Sequence, residues 1–291
     1  MIIFFECGRL GNQLFQYCAM RKFQPNGKIL AVGMKELKEN FTGVNLNNMG
    51  VITPLLENTL SRVGSKRFCK IIEVTRLISL IGEKIIGLTG SDFIVKKGIL
   101  DNPVLFGMAY FQAESMVEDA LMKGVSLRQH ILDRADSYLA NLPCRPSDRF
   151  FVHVRRGDYT YWPSVDDPAV MSPKWYREQM CRVRHINPSA FFVIVSDDWP
   201  YVAEIFPDSE NTRIHRGQWI DDFAVMTRCF GGGILSASSF SWWAAYFGRR
   251  ERLEARYVAP KWKEIPDVKL PQVWWATSWI ELIDRPMKVH V

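Results

Sequence analysis

From Arg149 onward the chain repeats one pattern. Short apolar runs, RFFVHV, AFFVIVS, GGILS and RYVAP, each end in polar or small residues and are separated by stretches with helical spacing. Strands that alternate with helices in this way close a core as a mostly parallel sheet covered on both faces. In such sheets ligands gather at the carboxyl ends of the strands. The residues just after each apolar run are therefore the first candidates for function.

The amino-terminal half opens in the same style. Residues 1–6 read as a short buried strand, followed by a glycine-bearing turn, GRLG, and a helix from near Asn12. Residues 28–52 show no regular pattern. Apolar residues at helical spacing from Pro54 to Ile86 (Leu55, Leu60, Val63, Ile71, Val74, Leu77, Ile81 and Ile85) predict one or two amphipathic helices. A further helical run covers Glu114 to Leu142 and stops at Pro143, and the PCRPSD segment after it reads as a linker.

At 291 residues the chain is long for one core and comfortable for two, so residues 1–145 and 146–291 are expected to form separate lobes with a ligand cleft between them. The last helix is expected to pack back on the first lobe. An apolar content of 47% with 23% charged residues fits a water-soluble globule and excludes a disordered chain. Lys and Arg outnumber Asp and Glu by 37 to 31, a +6 balance that suits an anionic ligand or surface without selecting one. Arg62, Lys66, Arg67 and Lys70 recur along one helix and read as a solvated face. The six cysteines have no C-x-x-C spacing and are expected to be reduced, packed thiols, with no zinc site. MIIFFECG is interrupted too early by Glu6 for a signal peptide, and no apolar run reaches membrane-span length. A cytoplasmic protein, at most peripheral to an inner membrane, is the expectation.

Three strand ends carry the chemistry. In FFVHVRRGDY, period-two alternation sends Phe151, His153 and Arg155 to one face and Val152, Val154 and Arg156 to the other. Arg155 is then placed to meet a ligand and Arg156 to form an internal pair, with Asp158 as its candidate partner. Each guanidinium needs an anion, because a buried charge without one costs several kcal/mol. In FFVIVSDDW, Asp197 and Asp198 follow directly on a strand. They can accept from purine or ribose donors or cap the next helix, and the intervening residue of a metal-binding D-x-D is missing. In GGGILSASSFSWW, Ser236, Ala237, Ser238 and Ser239 bridge a strand to an apolar helix. The backbone N–H groups at such a helix start can hold an oxyanion, and a serine cap is the plainer alternative. Trp242 and Trp243 fall inside that helix and read as packing. An inward arginine, a histidine, a strand-end carboxylate and a hydroxyl-rich helix start together suit a nucleoside diphosphate. No Walker loop or G-x-G-x-x-G is present.

Four segments in order, GRLGNQLFQY, AYFQAE, HVRRGDY and SSFSWW, resemble glycosyltransferase family 11, the α-1,2-fucosyltransferases. The resemblance implies an α/β fold of GT-B type, two Rossmann-like lobes with an interlobe cleft. It implies inverting transfer of L-fucose from GDP-fucose to the 2-hydroxyl of a galactoside, with no cofactor and no essential metal. By the same resemblance Arg155 binds the β-phosphate, His153 lies near the nucleotide, Asp197 meets the guanine, Ser238 and Ser239 hold the phosphates, and Gly11, Asn12 and Gln13 form a turn that closes over the donor. Asp158 is the first candidate for general base, with Asp166, Asp167 and Glu114 behind it. Arg9, AYFQAE and WWAAY depart from the usual pattern and bear on acceptor shape. Residues 28–100 match nothing and are where acceptor choice is expected to reside.

The acceptor is expected to be a galactose-containing oligosaccharide or lipid-linked glycan in surface glycan or lipopolysaccharide synthesis, with no nucleic acid partner. Two rival readings remain from the residues alone. A metal-dependent glycosyltransferase of the other fold type, GT-A, would use the strand-end aspartates. A basic RNA-binding protein would use the positive charge and the 13% aromatic content.

Overall fold

The computed structural model describes residues 1–46, 53–75, 78–83, 93–96, 100–106, 110–112, 114–162, 164–261 and 278–284. The chain divides into two compact units, one running from Met1 to Ser126 and the other beginning at Leu127.

The first unit holds β1 (Ile2–Phe5), α1 (Leu10–Phe23), β2 (Ile29–Val32), α2 (Lys35–Asn40), β3 (Phe41–Thr42), α3 (Thr53–Val63), α4 (Ser65–Thr75), β4 (Ile78–Glu83), β5 (Phe93–Lys96), β6 (Leu100–Phe106) and α5 (Asp119–Met122). Its main sheet has the order β2-β1-β6-β4-β5, parallel except for the β4–β5 pair. All four residues of β1 and of β2 are buried, as expected of strands covered on both faces. Leu60, Phe68, Cys69 and Ile72 of α3 and α4 pack on Ile3, Phe5 and Val32, so both helices lie on one face of this sheet. Helix α1 is buried on nearly every side. Its Arg21 turns its Nη1 to the carbonyls of Pro25 and Gly27, each at 3.2 Å, and its Nη2 to Asn45 O, which closes the helix end.

The second unit holds β7 (Ser126–Leu127), which enters it from the boundary, α6 (Gln129–Ala140), β8 (Arg149–Val154), α7 (Pro173–Ile186), β9 (Phe191–Ser196), α8 (Trp199–Ile205), β10 (Thr212–Ile214), α9 (Trp219–Thr227), β11 (Gly232–Ile234), α10 (Ser239–Glu251), β12 (Arg256–Pro260) and β13 (Ile280–Ile283). Its main sheet has six strands, all parallel, in the order β10-β9-β8-β11-β12-β13. The chain starts at β8, runs outward through β9 and β10, then returns to the other side of β8 with β11. The carboxyl ends of β8 and β11 therefore flank a topological switch point, where open α/β sheets bind ligands. Phe150, Val152 and Val154 of β8 pack with Phe192, Ile194, Trp175, Tyr176 and Met180 in one apolar layer. Phe151 faces the other side, near Tyr257.

Several expectations are corrected. Residues 29–42, where the sequence shows no regular pattern, form β2, α2 and β3, all short elements. The helical reading of 54–86 holds for α3 and α4, but Ile81 lies in β4; Leu77 and Ile85 lie outside the described residues. The run from Glu114 to Leu142 is broken into a 3-10 turn (Glu114–Met116), α5, β7 and α6; Gly124, at φ 81, ends the first helical stretch. The unit boundary falls at 126/127 and not at 145/146. Helix α6 is held to α9 by Arg134–Asp221 and by the two-pronged Arg228–Asp136 pair at 2.8 and 2.9 Å. Strands β10 and β13 escaped notice because Arg213 and Glu281 interrupt their short apolar runs. All six thiols are free, with Cys18 and Cys229 buried and Cys181 exposed. The residues after Asp284 lie outside the described set, and with them the expected last helix.

Candidate active site at the carboxyl edge of the second sheet

Phe150, Phe151 and Val152 carry β8 through the core and deliver His153 to its carboxyl end. His153 is buried, and its Nδ1 lies 2.7 Å from the hydroxyl of Ser236 at the end of β11. Burial first, and the nearby positive charge of Arg155 second, push the imidazole pKa down to about 3. The ring is therefore neutral at physiological pH. It joins the two strands at the switch point by a hydrogen bond between uncharged groups.

Arg155 and Arg156 follow the end of β8 and take different partners, not those expected. Arg156, with a side chain only 15% exposed, pairs with Asp198 at 3.0 Å and stacks over the Tyr201 ring at 3.5 Å. Asp158 pairs instead with Arg155, whose other side meets Asp197 at 2.7 Å. The expectation of an Arg156–Asp158 pair is thus overturned, and Arg155 is not left without a protein acid. The 3-10 turn that follows β8 (Gly157–Thr160) explains the exchange, because it folds Asp158 back three residues along the chain toward Arg155. Arg155 remains one-third exposed and Asp158 half exposed.

Asp197 is engaged through both carboxylate oxygens, accepting from the backbone N–H of Arg156 at 2.8 Å and facing Arg155 with the other. Its approach is possible because residue 157 is glycine. At φ 33, a Cβ there would lie 2.6 Å from Asp197 Oδ2. Asp198 also caps α8 by accepting from Tyr201 N–H at 3.2 Å, so one of the two aspartates does take the capping role. Ser196 turns its hydroxyl to Val154 O at 2.7 Å and receives Asp198 N–H at 3.0 Å, fixing the ends of β8 and β9 together.

The serine-rich segment lies beside this cluster. Tyr159 donates its hydroxyl to Ala237 O at 2.9 Å, which ties the HVRRGDY turn to the start of α10. Ser238 is the N-cap of α10 and accepts from Phe240 N–H at 3.3 Å, while Ser241 turns back to Ser236 O and Ser238 O. Trp242 and Trp243 are fully buried and pack edge-to-face, the packing role the sequence indicates. His153, Arg155, Asp158, Asp197, Ser238 and Ser239 thus belong to strand ends and helix starts on one edge of one sheet.

Asn12 and Gln13 belong to the first unit. Gln13 is buried and donates to Glu6 at 3.2 Å while accepting from Leu37 N–H at 3.0 Å. Asn12 Oδ1 accepts from the side chain of Gln112, so the GRLGNQLFQY and AYFQAE segments meet within that unit. The turn's left-handed residue is Gly8, at φ 83, whose Cβ would strike the Asn12 side chain. Glu114 begins the 3-10 turn of the same unit, while Asp166 and Asp167 lie in the exposed loop after Tyr159.

Three features went unnoticed in the sequence: the tie from Tyr159 to α10, the stacking of Tyr201 on Arg156, and a buried His215–Asp222 pair at 2.6 Å after β10. Burial raises the Asp222 pKa above its ordinary value, partly offset by the hydrogen bond to His215. Tyr159 stands inside a quoted motif and could have been found there. The His215–Asp222 pair is seven residues apart with no motif around it. Among the described residues, no three His, Cys, Asp or Glu side chains converge as a bound metal ion requires.

The chain is similar to known proteins in sequence and in fold. The family model described as glycosyl transferase family 11 matches residues 106–280, which include three of the four segments but not GRLGNQLFQY. Galactoside alpha-(1,2)-fucosyltransferase 2 of Sus scrofa is 28% identical over 172 residues, 55% of this chain and 49% of that protein. Galactoside 2-alpha-L-fucosyltransferase SEC1 of Bos taurus is 30% identical over 137 residues, 43% of this chain and 36% of that protein. The chain spans about half the length, or less, of these curated relatives. Among solved structures, the glycosyl transferase family 9 protein of Veillonella parvula DSM 2008 shares the fold, with a TM-score of 0.55 at 11% identity over 99% of this chain and 88% of that one.

Proposed function

Because the chain belongs to glycosyl transferase family 11, we propose that it transfers L-fucose from GDP-fucose to the 2-hydroxyl of a galactoside, with inversion and without a metal ion. The observation that carries this reading is the meeting of the HVRRGDY turn and the α10 start at the β8/β11 switch point, inside the matched segment. A diphosphate at that edge would find the guanidinium of Arg155 on one side and the first N–H groups of α10 on the other. As the bond from sugar to GDP breaks, the departing oxygen gains charge, and both groups lower its energy.

Arg155 has five N–H donors, and its two ion pairs engage one nitrogen each. It can therefore take a phosphate oxygen while held in place by Asp197. Asp158 is the proposed base: it is half exposed, sits beside the same guanidinium, and would accept the proton of the acceptor hydroxyl. His153, neutral at working pH, positions Ser236 and the helix start behind it and is not itself the base.

The test is product analysis with GDP-fucose and a panel of β-galactosides, chelator present throughout. An α-1,2-linked fucoside formed by the parent chain, with transfer and GDP binding both lost in Arg155→Ala, supports the reading. Full transfer by that variant, or transfer abolished by the chelator and restored by a divalent ion, refutes it.

A further inference from the structure

Helices α3 and α4 cover one face of the first unit's sheet, burying Leu60, Phe68, Cys69 and Ile72 on the strands. Their outer faces therefore point the same way. On α4 the spacing of Lys66, Arg67, Lys70, Ile71 and Val74 places all five on the side opposite Phe68 and Ile72. Those five residues are exposed, Ile71 to 50% and Val74 to 77%. On α3 the corresponding side carries Arg62 and Leu55, the latter 70% exposed. The α4 sequence has three cations against one acid, Glu73, and Glu57 of α3 is paired at 2.8 Å with Lys38.

Cations alone on a helix need no explanation, since a solvated face looks the same. Three large aliphatic side chains left in water among four cations are a different matter. A phosphate backbone would match the cations but bury none of the aliphatics. The headgroup layer of an anionic bilayer matches both: Lys and Arg reach lipid phosphates while Leu, Ile and Val enter the acyl boundary.

We infer that this outer face of α3 and α4 docks the protein on an anionic phospholipid surface. Its cations supply the attraction and Leu55, Ile71 and Val74 the insertion. The inference does not depend on the transfer reaction, and its test does not use it.

The experiment is sedimentation of the whole chain with vesicles of phosphatidylcholine alone or of phosphatidylcholine mixed with phosphatidylglycerol, at low and high salt. Binding to the mixed vesicles only, weakened by salt, is expected. The Lys66→Gln/Arg67→Gln/Lys70→Gln variant should partition ~100-fold less. Ile71→Ser/Val74→Ser, which keeps every charge, should also lose binding, roughly tenfold or more. Circular dichroism of both variants checks that the exposed substitutions leave the fold intact. No binding to the mixed vesicles overturns the inference. So does binding indifferent to Ile71→Ser/Val74→Ser, or a preference for single-stranded RNA over the vesicles that depends on the cations alone.

Discussion

Asp198 holds the guanidinium of Arg156 at 3.0 Å and thereby pins the end of β8 to the end of β9. Through this pair Arg156 becomes a structural residue, and its neighbour Arg155 is the one left at the rim with Asp158 and Asp197. Asp198 also caps α8. Asp198→Ala should therefore cost about 1–2 kcal/mol of stability, while Asp198→Asn, which can still cap, should lose less. Urea unfolding of the two variants checks it; equal losses would separate the effect from the cap.

Gly157 permits Asp197 to approach the turn. Gly157→Ala introduces a Cβ 2.6 Å from Asp197 Oδ2 at a left-handed backbone position, so either the turn or the carboxylate must move. A loss of roughly 1–2 kcal/mol in stability is expected, with GDP affinity reduced in parallel because Arg155 is held by the same carboxylate. Unchanged titration calorimetry with GDP would contradict the second half.

His153 makes a pH prediction. Its folded pKa, about 3, lies below the ordinary 6.5, so between these values the unfolded chain binds the extra proton. Stability conferred by the neutral ring is fully present above pH 6.5 and is lost as pH falls through that window, at up to about 1.4 kcal/mol per pH unit. Denaturation curves between pH 6.5 and about 5, above the range where most carboxylates titrate, should show this slope. His153→Gln should flatten it.

Asp158 separates chemistry from scaffolding. If it removes the acceptor proton, Asp158→Asn lowers kcat by about 10²–10⁴ while GDP affinity stays near that of the parent. Steady-state kinetics and GDP titration together distinguish this from a purely structural partner of Arg155, whose loss would change binding before rate.

Much of the second unit was legible because β8 and β9, at six residues each, show long apolar runs that end where the polar residues of the site begin. The alternation within β8, with Phe151 facing away from the layer of Phe150, Val152 and Val154, followed from the pleat alone. The partners of Arg155 and Arg156 did not, because the 3-10 turn at Gly157–Thr160 reverses Asp158 onto Arg155. No spacing rule distinguishes a partner two residues away from one three residues away in such a turn. The His215–Asp222 pair was invisible because the strand before it, TRI, is broken by Arg213 and no motif surrounds the two residues. In the first unit, β2 was missed because its four residues, all buried, show no alternation, and α2 because six residues make fewer than two helical turns.

Strand β11 begins with glycines at 232 and 233, preceded by Gly231. An added methyl at these three positions would collide with the Phe150 ring, the Arg256 backbone and the Phe151 ring. The strand thus brings almost no side chain of its own to the first half of its length and takes its seat from its neighbours. Anything that repositions those aromatic rings, at the far end of the sheet from Arg155, would be transmitted along β11 to Ser236 and the serine cap. Remote core substitutions could in this way tune an edge they never touch.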